Sequence, residues 1–162
     1  MRWARGDEMK RVKTTYLLSV EPCDVLLRDG LAELSGNHIN EVFGRDAGAI
    51  NWDTIKNLET AGRWVFCVAR NNIRRNIVGY ICLVITDDFF DNGNKIALLQ
   101  AIYVVPRERG SYVSRLLVEY SINGLRKLDV KRVKCAVASK KVANLFAKFG
   151  FSKSETVMEL KL

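Results

Sequence analysis

The sequence predicts a mixed α/β domain: a twisted, mostly antiparallel sheet with helices on both faces. Three observations carry this expectation. Strand patterns follow one another at residues 64–69, 77–85 and 98–105, each separated from the next by a turn signal. Residues 101–117 (AIYVVPRERGSYVSRLL) then lead from the last of these strands through a Pro-opened turn into a helical pattern. A further strand at 132–138 and a helix at 141–149 follow, so the first crossover helix delivers a roughly parallel strand. At 162 residues the chain is read as one domain, 1–162, long enough to bury a core without disulfides or a metal.

Residues 1–10 are polar and expected to be loose, with Met9 an alternative start to Met1. Residues 13–20 read as a first strand around Tyr16, Leu17 and Leu18, and Pro22 ends it. Asp24 is placed to cap a helix over 25–34, which Gly30 weakens. Residues 35–50 read as loop, rich in glycine (Gly36, Gly44, Gly48) and carrying His38, Asn40, Glu41 and Asp46. A short amphipathic helix over 51–61 has Asn51 as cap, Trp52, Ile55 and Leu58 on one face, and Gly62 as stop. WVFCVA at 64–69 is apolar on both faces and therefore central. A basic turn, 71–76, returns it as a hairpin into IVGYICLVI at 77–85, where Gly79 marks a bulge or the close approach of another backbone.

Residues 86–95 form an acidic turn, with Asn92 and Gly93 as the reversal and Phe89 and Phe90 exposed unless they fold over something. The strand at 98–105 feeds the turn at 106–109 and a helix starting near Gly110 or Ser111. That helix buries Val113, Leu116, Leu117 and Tyr120 against the sheet. A last strand at 155–160 is expected to close the sheet.

A helix that opens directly after a strand offers unpaired amides and the positive end of its dipole, which is an anion site. Arg107 and Arg109 add fixed positive charge beside it. The chain as a whole carries +8. Its basic clusters, such as Arg126–Lys127 and Lys140–Lys141, read singly as solvated turns and helix ends, and no aromatic interleaving marks a nucleic-acid surface. Cys23, Cys67, Cys82 and Cys135 lack metal-ligand spacing and there is one histidine, so no metal is expected. Reduced thiols, the absence of an apolar leader and the lack of an ~18-residue apolar run point to the cytoplasm rather than a membrane.

The 101–117 stretch resembles the signature of the GNAT superfamily of acyl-CoA N-acetyltransferases, Val-x-Pro-x-x-Arg-Gly-x-Gly-x-Gly. Val104, Pro106, Arg109 and Gly110 match it, while Tyr112 and Ser114 occupy the two later glycine positions. Residues 139–151 resemble the family's second motif, Asn-x-x-Ala-x-x-Leu-Tyr-x-Lys-x-Gly-Phe. Leu145, Lys148, Gly150 and Phe151 match, and Ser139, Val142 and Phe146 depart from it. The resemblance covers the C-terminal two-fifths by motif and the rest by element order. It implies the acyl-CoA N-acyltransferase fold of a compact bacterial or phage-type member.

It also implies direct transfer of an acetyl group from acetyl-CoA to a primary amine: a small amine, a protein amine or an aminoacyl-tRNA. In that picture Ile102, Tyr103 and Val104 line the pantetheine arm. Arg109 and the amides of Gly110, Ser111, Tyr112, Val113 and Ser114 hold the pyrophosphate, and Ser139 and Phe146 complete the cofactor contacts. The family's usual tyrosine acid is replaced by Phe146, which cannot donate a proton. Tyr103 and Tyr112 stand as substitutes, and Gln100 as a residue that orients water. Glu41, Asp46 and Glu155 are candidate bases. A different reading keeps the fold without catalysis: a binding module holding nucleic acid or a protein partner on its basic face. Association into a homodimer is left open.

Overall fold

The computed structural model of the chain describes residues 15–44, 50–91, 93–137, 139–155 and 160. Five strands form one sheet in the order β1 (Tyr16–Val20), β2 (Trp64–Asn71), β3 (Ile77–Asp87), β4 (Lys95–Val104) and β5 (Val130–Cys135). The first four run antiparallel to their neighbours, and β5 lies parallel to β4. Helices α1 (Cys23–Arg28), α2 (Leu31–Phe43) and α3 (Trp52–Thr60) separate β1 from β2. Helix α4 (Val113–Lys127) makes the crossover from β4 to β5, and α5 (Lys140–Ala147) follows β5. The expected mixed sheet is therefore present. Residues 1–14 and most of the expected 155–160 strand lie outside the described residues.

Two adjacent residues of β3 show that the sheet is covered on both faces. Gly79 faces α4: a methyl group there would lie 2.9 Å from the Tyr103 carbonyl oxygen and 3.1 Å from Leu117 Cδ1. Its neighbour Tyr80 points the other way, to His38 of α2, because side chains alternate along a strand. The expected close approach at Gly79 is thus met by the Tyr103 backbone and α4, and the strands between are buried on both sides. Val65 to Ala69 and Ile77 to Leu83 are each under one-tenth exposed.

The segment between β1 and β2 differs most from expectation. The helix over 25–34 is two helices, broken where Gly30 takes φ +95°. Asp24 does not cap; it sits in the first turn of α1 and pairs with Lys56 of α3 at 2.7 Å. The opening amide of α1, at Cys23, instead donates to Glu59 of α3 at 2.9 Å. Residues 35–43, expected as loop, continue α2 up to Gly44 at φ +61°. The stripe Leu31, Leu34, Ser35, His38 has helical spacing and packs inward, which outweighs the ~1 kcal/mol that Gly36 costs in a helix. Asn51 caps α3 as expected, its side chain accepting from the Thr54 amide at 3.0 Å.

Charge ties this segment to the sheet. Glu21, just after β1, accepts from Ser19 Oγ (2.6 Å) and from Arg70 Nε and Nη2 of β2 (2.8 and 2.5 Å). Arg70 also reaches Asp29 at the α1–α2 turn, at 2.7 Å. At the far end of the sheet, Phe89 and Phe90 are exposed, at 92% and 98%.

Two outcomes follow from this packing. Gly79→Ala forces a shift against backbone and should cost about 1–3 kcal/mol in urea unfolding; an unchanged midpoint would contradict the contact. For Glu21, burial alone would raise the carboxyl pKa, but the Arg70 and Ser19 hydrogen bonds prevail and lower it. Its contribution is therefore complete above the unfolded pKa, about 4.3, and disappears as the pH falls through the lower folded value. Glu21→Gln should lose roughly 1.5–3 kcal/mol at pH 7. That deficit should shrink as the pH drops below about 4, and a pH-independent deficit would refute the assignment.

Candidate active site

The site begins where β4 and β5 part. Their parallel pairing ends at Leu99 opposite Cys135, yet β4 continues against β3 to Val104. At the parting point β4 carries a bulge: Leu99 pairs with Leu83 and Ala101 with Cys82, leaving Gln100 as the extra, exposed residue. Beyond it, the Val105 amide donates to the Val78 carbonyl at 2.9 Å. In an antiparallel ladder such bonded positions alternate, so Tyr103 and Ala101 also bond to β3. Ile102 and Val104 turn their backbone groups to the side that β5 has left. The result is a short open strand edge that a ligand with amide groups can join as an added strand.

This edge runs into the expected anion site. Pro106–Glu108 is a 3₁₀ turn, Gly110 takes φ +86°, and α4 starts at Val113, slightly later than expected. Some loop amides are used locally: Arg109 donates to the Pro106 carbonyl (3.2 Å), Ser111 to that of Glu108 (3.3 Å) and Val113 to Ser111 Oγ (3.3 Å). Gly110 and Tyr112 amides have no acceptor among the described residues. They lie at the positive end of a helix of 15 residues. The Tyr112 ring, 44% exposed, stands edge-on to Tyr16 at 5.6 Å and so stays out of the loop. Tyr16 in turn donates to Glu108 at 2.5 Å, fastening β1 to the turn.

The remaining sequence candidates are spread around this frame. Ser114 is half-buried in the first turn of α4, and the Val113 side chain is wholly buried. Ser139 caps α5, accepting from the Val142 amide at 3.4 Å. Phe146 packs in the core, 2% exposed and 5.0 Å from the Phe151 ring, and so offers a ligand almost no surface.

Arg109 is committed on the α2 side instead of facing the loop amides. Its Nε donates to the Val104 carbonyl (2.9 Å), and Nη1 and Nη2 donate to the two Glu41 oxygens (2.5 and 2.6 Å). The guanidinium also lies 5.4 Å over the Tyr103 ring. Arg109 holds the Glu41 carboxyl below the ordinary range through these bonds. The arginine thus joins the last carbonyl of β4 to α2 (a strut across the open end of the gap).

Beneath the strut lies a cluster that sequence reading missed. His38 Nδ1 is 2.9 Å from Tyr80 Oη, and its ring stacks on Tyr103 at 4.9 Å and 25°. Tyr80 and Tyr103 are 5.9 Å apart, and Ser35 adjoins the Tyr80 hydroxyl. Burial lowers the His38 pKa; Arg109 pushes the same way and Glu41 opposes. Burial also raises that of Tyr80, so both groups are neutral near pH 7. The signal was available as the period of Leu31, Leu34, Ser35 and His38, but three glycines in the segment hid it.

Other candidate groups are less well placed. Glu155 is exposed and paired with Lys134, and Asp46 lies outside the described residues. Burial raises the thiol of Cys135, and pushes Cys23 to about 11 and Cys67 to about 12, which leaves them unreactive. No group of metal-ligating side chains occurs among the described residues, nor a helix long and apolar enough to cross a membrane.

The chain resembles several solved structures over nearly its whole length. A glucosamine-6-phosphate N-acetyltransferase from Arabidopsis thaliana is 18% identical with a TM-score of 0.72, covering 89% of this chain and 97% of its own. An acetyltransferase from Trypanosoma brucei is 22% identical with a TM-score of 0.71, over 91% and 99%. A predicted acetyltransferase from Clostridium acetobutylicum, solved with acetyl-CoA, is 16% identical with a TM-score of 0.69, over 90% and 96%. No curated protein sequence matches the chain. The model of the acetyltransferase (GNAT) family matches residues 36–151, from α2 through the gap to the turn after α5, and the chain belongs to that family.

Proposed function

We propose that the chain moves an acetyl group from acetyl-CoA to a primary amine by direct transfer. The observation that carries this reading is the open edge of β4, with the Ile102 backbone and the Val104 amide left without a strand partner on the β5 side and a helix N-terminus at its end. Pantetheine is a chain with two amides, suited to pair with such an edge. The pyrophosphate it leads to is suited to the free amides of Gly110 and Tyr112 at the start of α4. Acetyl-CoA held this way has its thioester near Gln100 and Ile102, where the sheet opens toward α2. The protein then contributes mainly proximity and orientation.

Arg109 has a different role here from the pyrophosphate contact expected from its position in the sequence. Both of its terminal nitrogens are on Glu41, so it fixes the end of β4 rather than holding phosphate. Phe146, likewise, contributes packing in place of proton donation, and the departing thiolate takes its proton from solvent. The acceptor belongs to one of three classes: small amines, protein amines or aminoacyl-tRNA. The amino sugar phosphate named for the Arabidopsis neighbour makes a small amine a sensible first probe. Buried free thiols fit a cytoplasmic setting.

Acetyl-CoA at a hundredfold excess over its Kd should stabilise the fold by about 2.7 kcal/mol, raising Tm by roughly 5–10 °C, with a much smaller shift for ATP. Equal shifts for both would mean that the basic surface alone is sensed, which favours a non-catalytic binding module. Transfer of radiolabelled acetyl to spermidine, a lysine peptide, glucosamine 6-phosphate and aminoacyl-tRNA then reads the activity itself.

The strut makes a separate prediction. Arg109→Ala and Glu41→Gln should each weaken acetyl-CoA binding in calorimetry by about tenfold, ~1.4 kcal/mol, since both release the end of β4. Tighter binding by Glu41→Gln would show that Arg109 is a phosphate ligand restrained by Glu41.

A further inference from the structure

We propose that His38 is the general base of the transfer, accepting a proton from the attacking amine at Nε2. The inference rests on the acetyltransferase reading above. Its geometry is set by Tyr103, which lies between Ile102 and Val104, the two residues whose backbone lines the gap. The imidazole stacks on the Tyr103 ring, on the α2 face, and is only partly buried. A base placed there stands beside the open edge without blocking it. Nδ1 is committed to Tyr80 Oη, while Nε2 has no partner among the described residues.

The surrounding groups favour this role over the alternatives. From α2, Glu41 is bound through both oxygens to Arg109, and Ser35 adjoins Tyr80. From β3, Tyr80 is buried and neutral; from β4, Tyr103 lies flat under the imidazole; and Arg109 approaches from the turn. Gln100, the exposed bulge residue, cannot take up a proton. His38 is therefore the one group of the cluster that is unprotonated at neutral pH and basic enough to act.

The proposal assigns the neutral proton to Nδ1, donated to the Tyr80 oxygen, with the Tyr80 hydroxyl turned to Ser35. This leaves the Nε2 lone pair free. The amine gives up its ammonium proton to solvent on entering the site; its nitrogen then attacks the thioester carbon, and the C–N bond forms as a second proton passes to Nε2. The imidazolium is stabilised by the Tyr80 oxygen and by Glu41. The C–S bond then breaks, CoA leaves as thiolate, and the proton on Nε2 returns through solvent to the sulfur. Amide, CoA thiol and neutral imidazole result.

Because His38 is the only histidine of the chain, ¹⁵N spectroscopy of the imidazole reads its tautomer and titration without any variant. The expected result is an Nδ1–H tautomer that shifts toward Nε2–H in Tyr80→Phe. With the most reactive amine among spermidine, a lysine peptide and glucosamine 6-phosphate, His38→Gln should lower kcat about 100-fold or more. It should also remove the limb of kcat/KM that in the wild type follows the imidazole titration, leaving only the one set by the amine's own ionisation. Acetyl-CoA Kd should stay within about twofold in both variants, a fold-change that separates loss of the base from loss of the site. A wild-type Nε2–H tautomer, or a limb at the imidazole's own titration point that survives in His38→Gln, overturns the proposal. Wild-type protein that fails to bind acetyl-CoA overturns the acetyltransferase reading, and the base with it.

Discussion

The geometry of this protein turns on where two parallel strands stop sharing hydrogen bonds. β4 is held along its whole length by β3, but β5 follows it only as far as Leu99 and Cys135. Backbone amides and carbonyls left without partners are costly unless water or a ligand satisfies them. A sheet that opens between its last two strands part-way along their length therefore needs a reason. The bulge at Gln100 supplies the local mechanism, since an extra residue bends and twists the strand away from its neighbour. The helix that starts at the end of the open edge supplies the reason, because it places an anion site in line with the unpaired backbone.

The rest of the domain holds that opening in place. Gly79 lets the β4 backbone and Leu117 of α4 approach within a distance no side chain would allow. On the opposite face α2 brings Glu41 to Arg109 and His38 to Tyr80, so the last carbonyl of β4 and the ring of Tyr103 are both fixed from the same helix. Tyr16 of β1, through Glu108, fastens the turn from a third direction. Sites of this kind need their first contacts locked by supporting ones, and the support comes from four separate elements.

The central hairpins and the strand–turn–helix unit were legible in the sequence. Their apolar runs are long, and their turns carry glycine, asparagine or proline in positions that leave little choice. Helix α2 was not legible, because Gly36 and Gly44 suggested loop and only the inward stripe from Leu31 to His38 shows otherwise. The cluster around His38 depends on that helix and on the pairing of Tyr80 in β3 with Tyr103 in β4, a tertiary fact that no local pattern carries. For the same reason Arg109 matched a sequence motif while its partner, Glu41, lies 68 positions away.

Amide hydrogen exchange along β4 tests the central claim most directly. The amides of Ile102 and Val104 face the gap and those of Ala101 and Tyr103 face β3. Acetyl-CoA bound as an added strand should slow exchange at Ile102 and Val104, and at Gly110 and Tyr112, while leaving Ala101 and Tyr103 nearly unchanged. Saturating acetyl-CoA that leaves Ile102 and Val104 exchanging at their free rates would contradict the account.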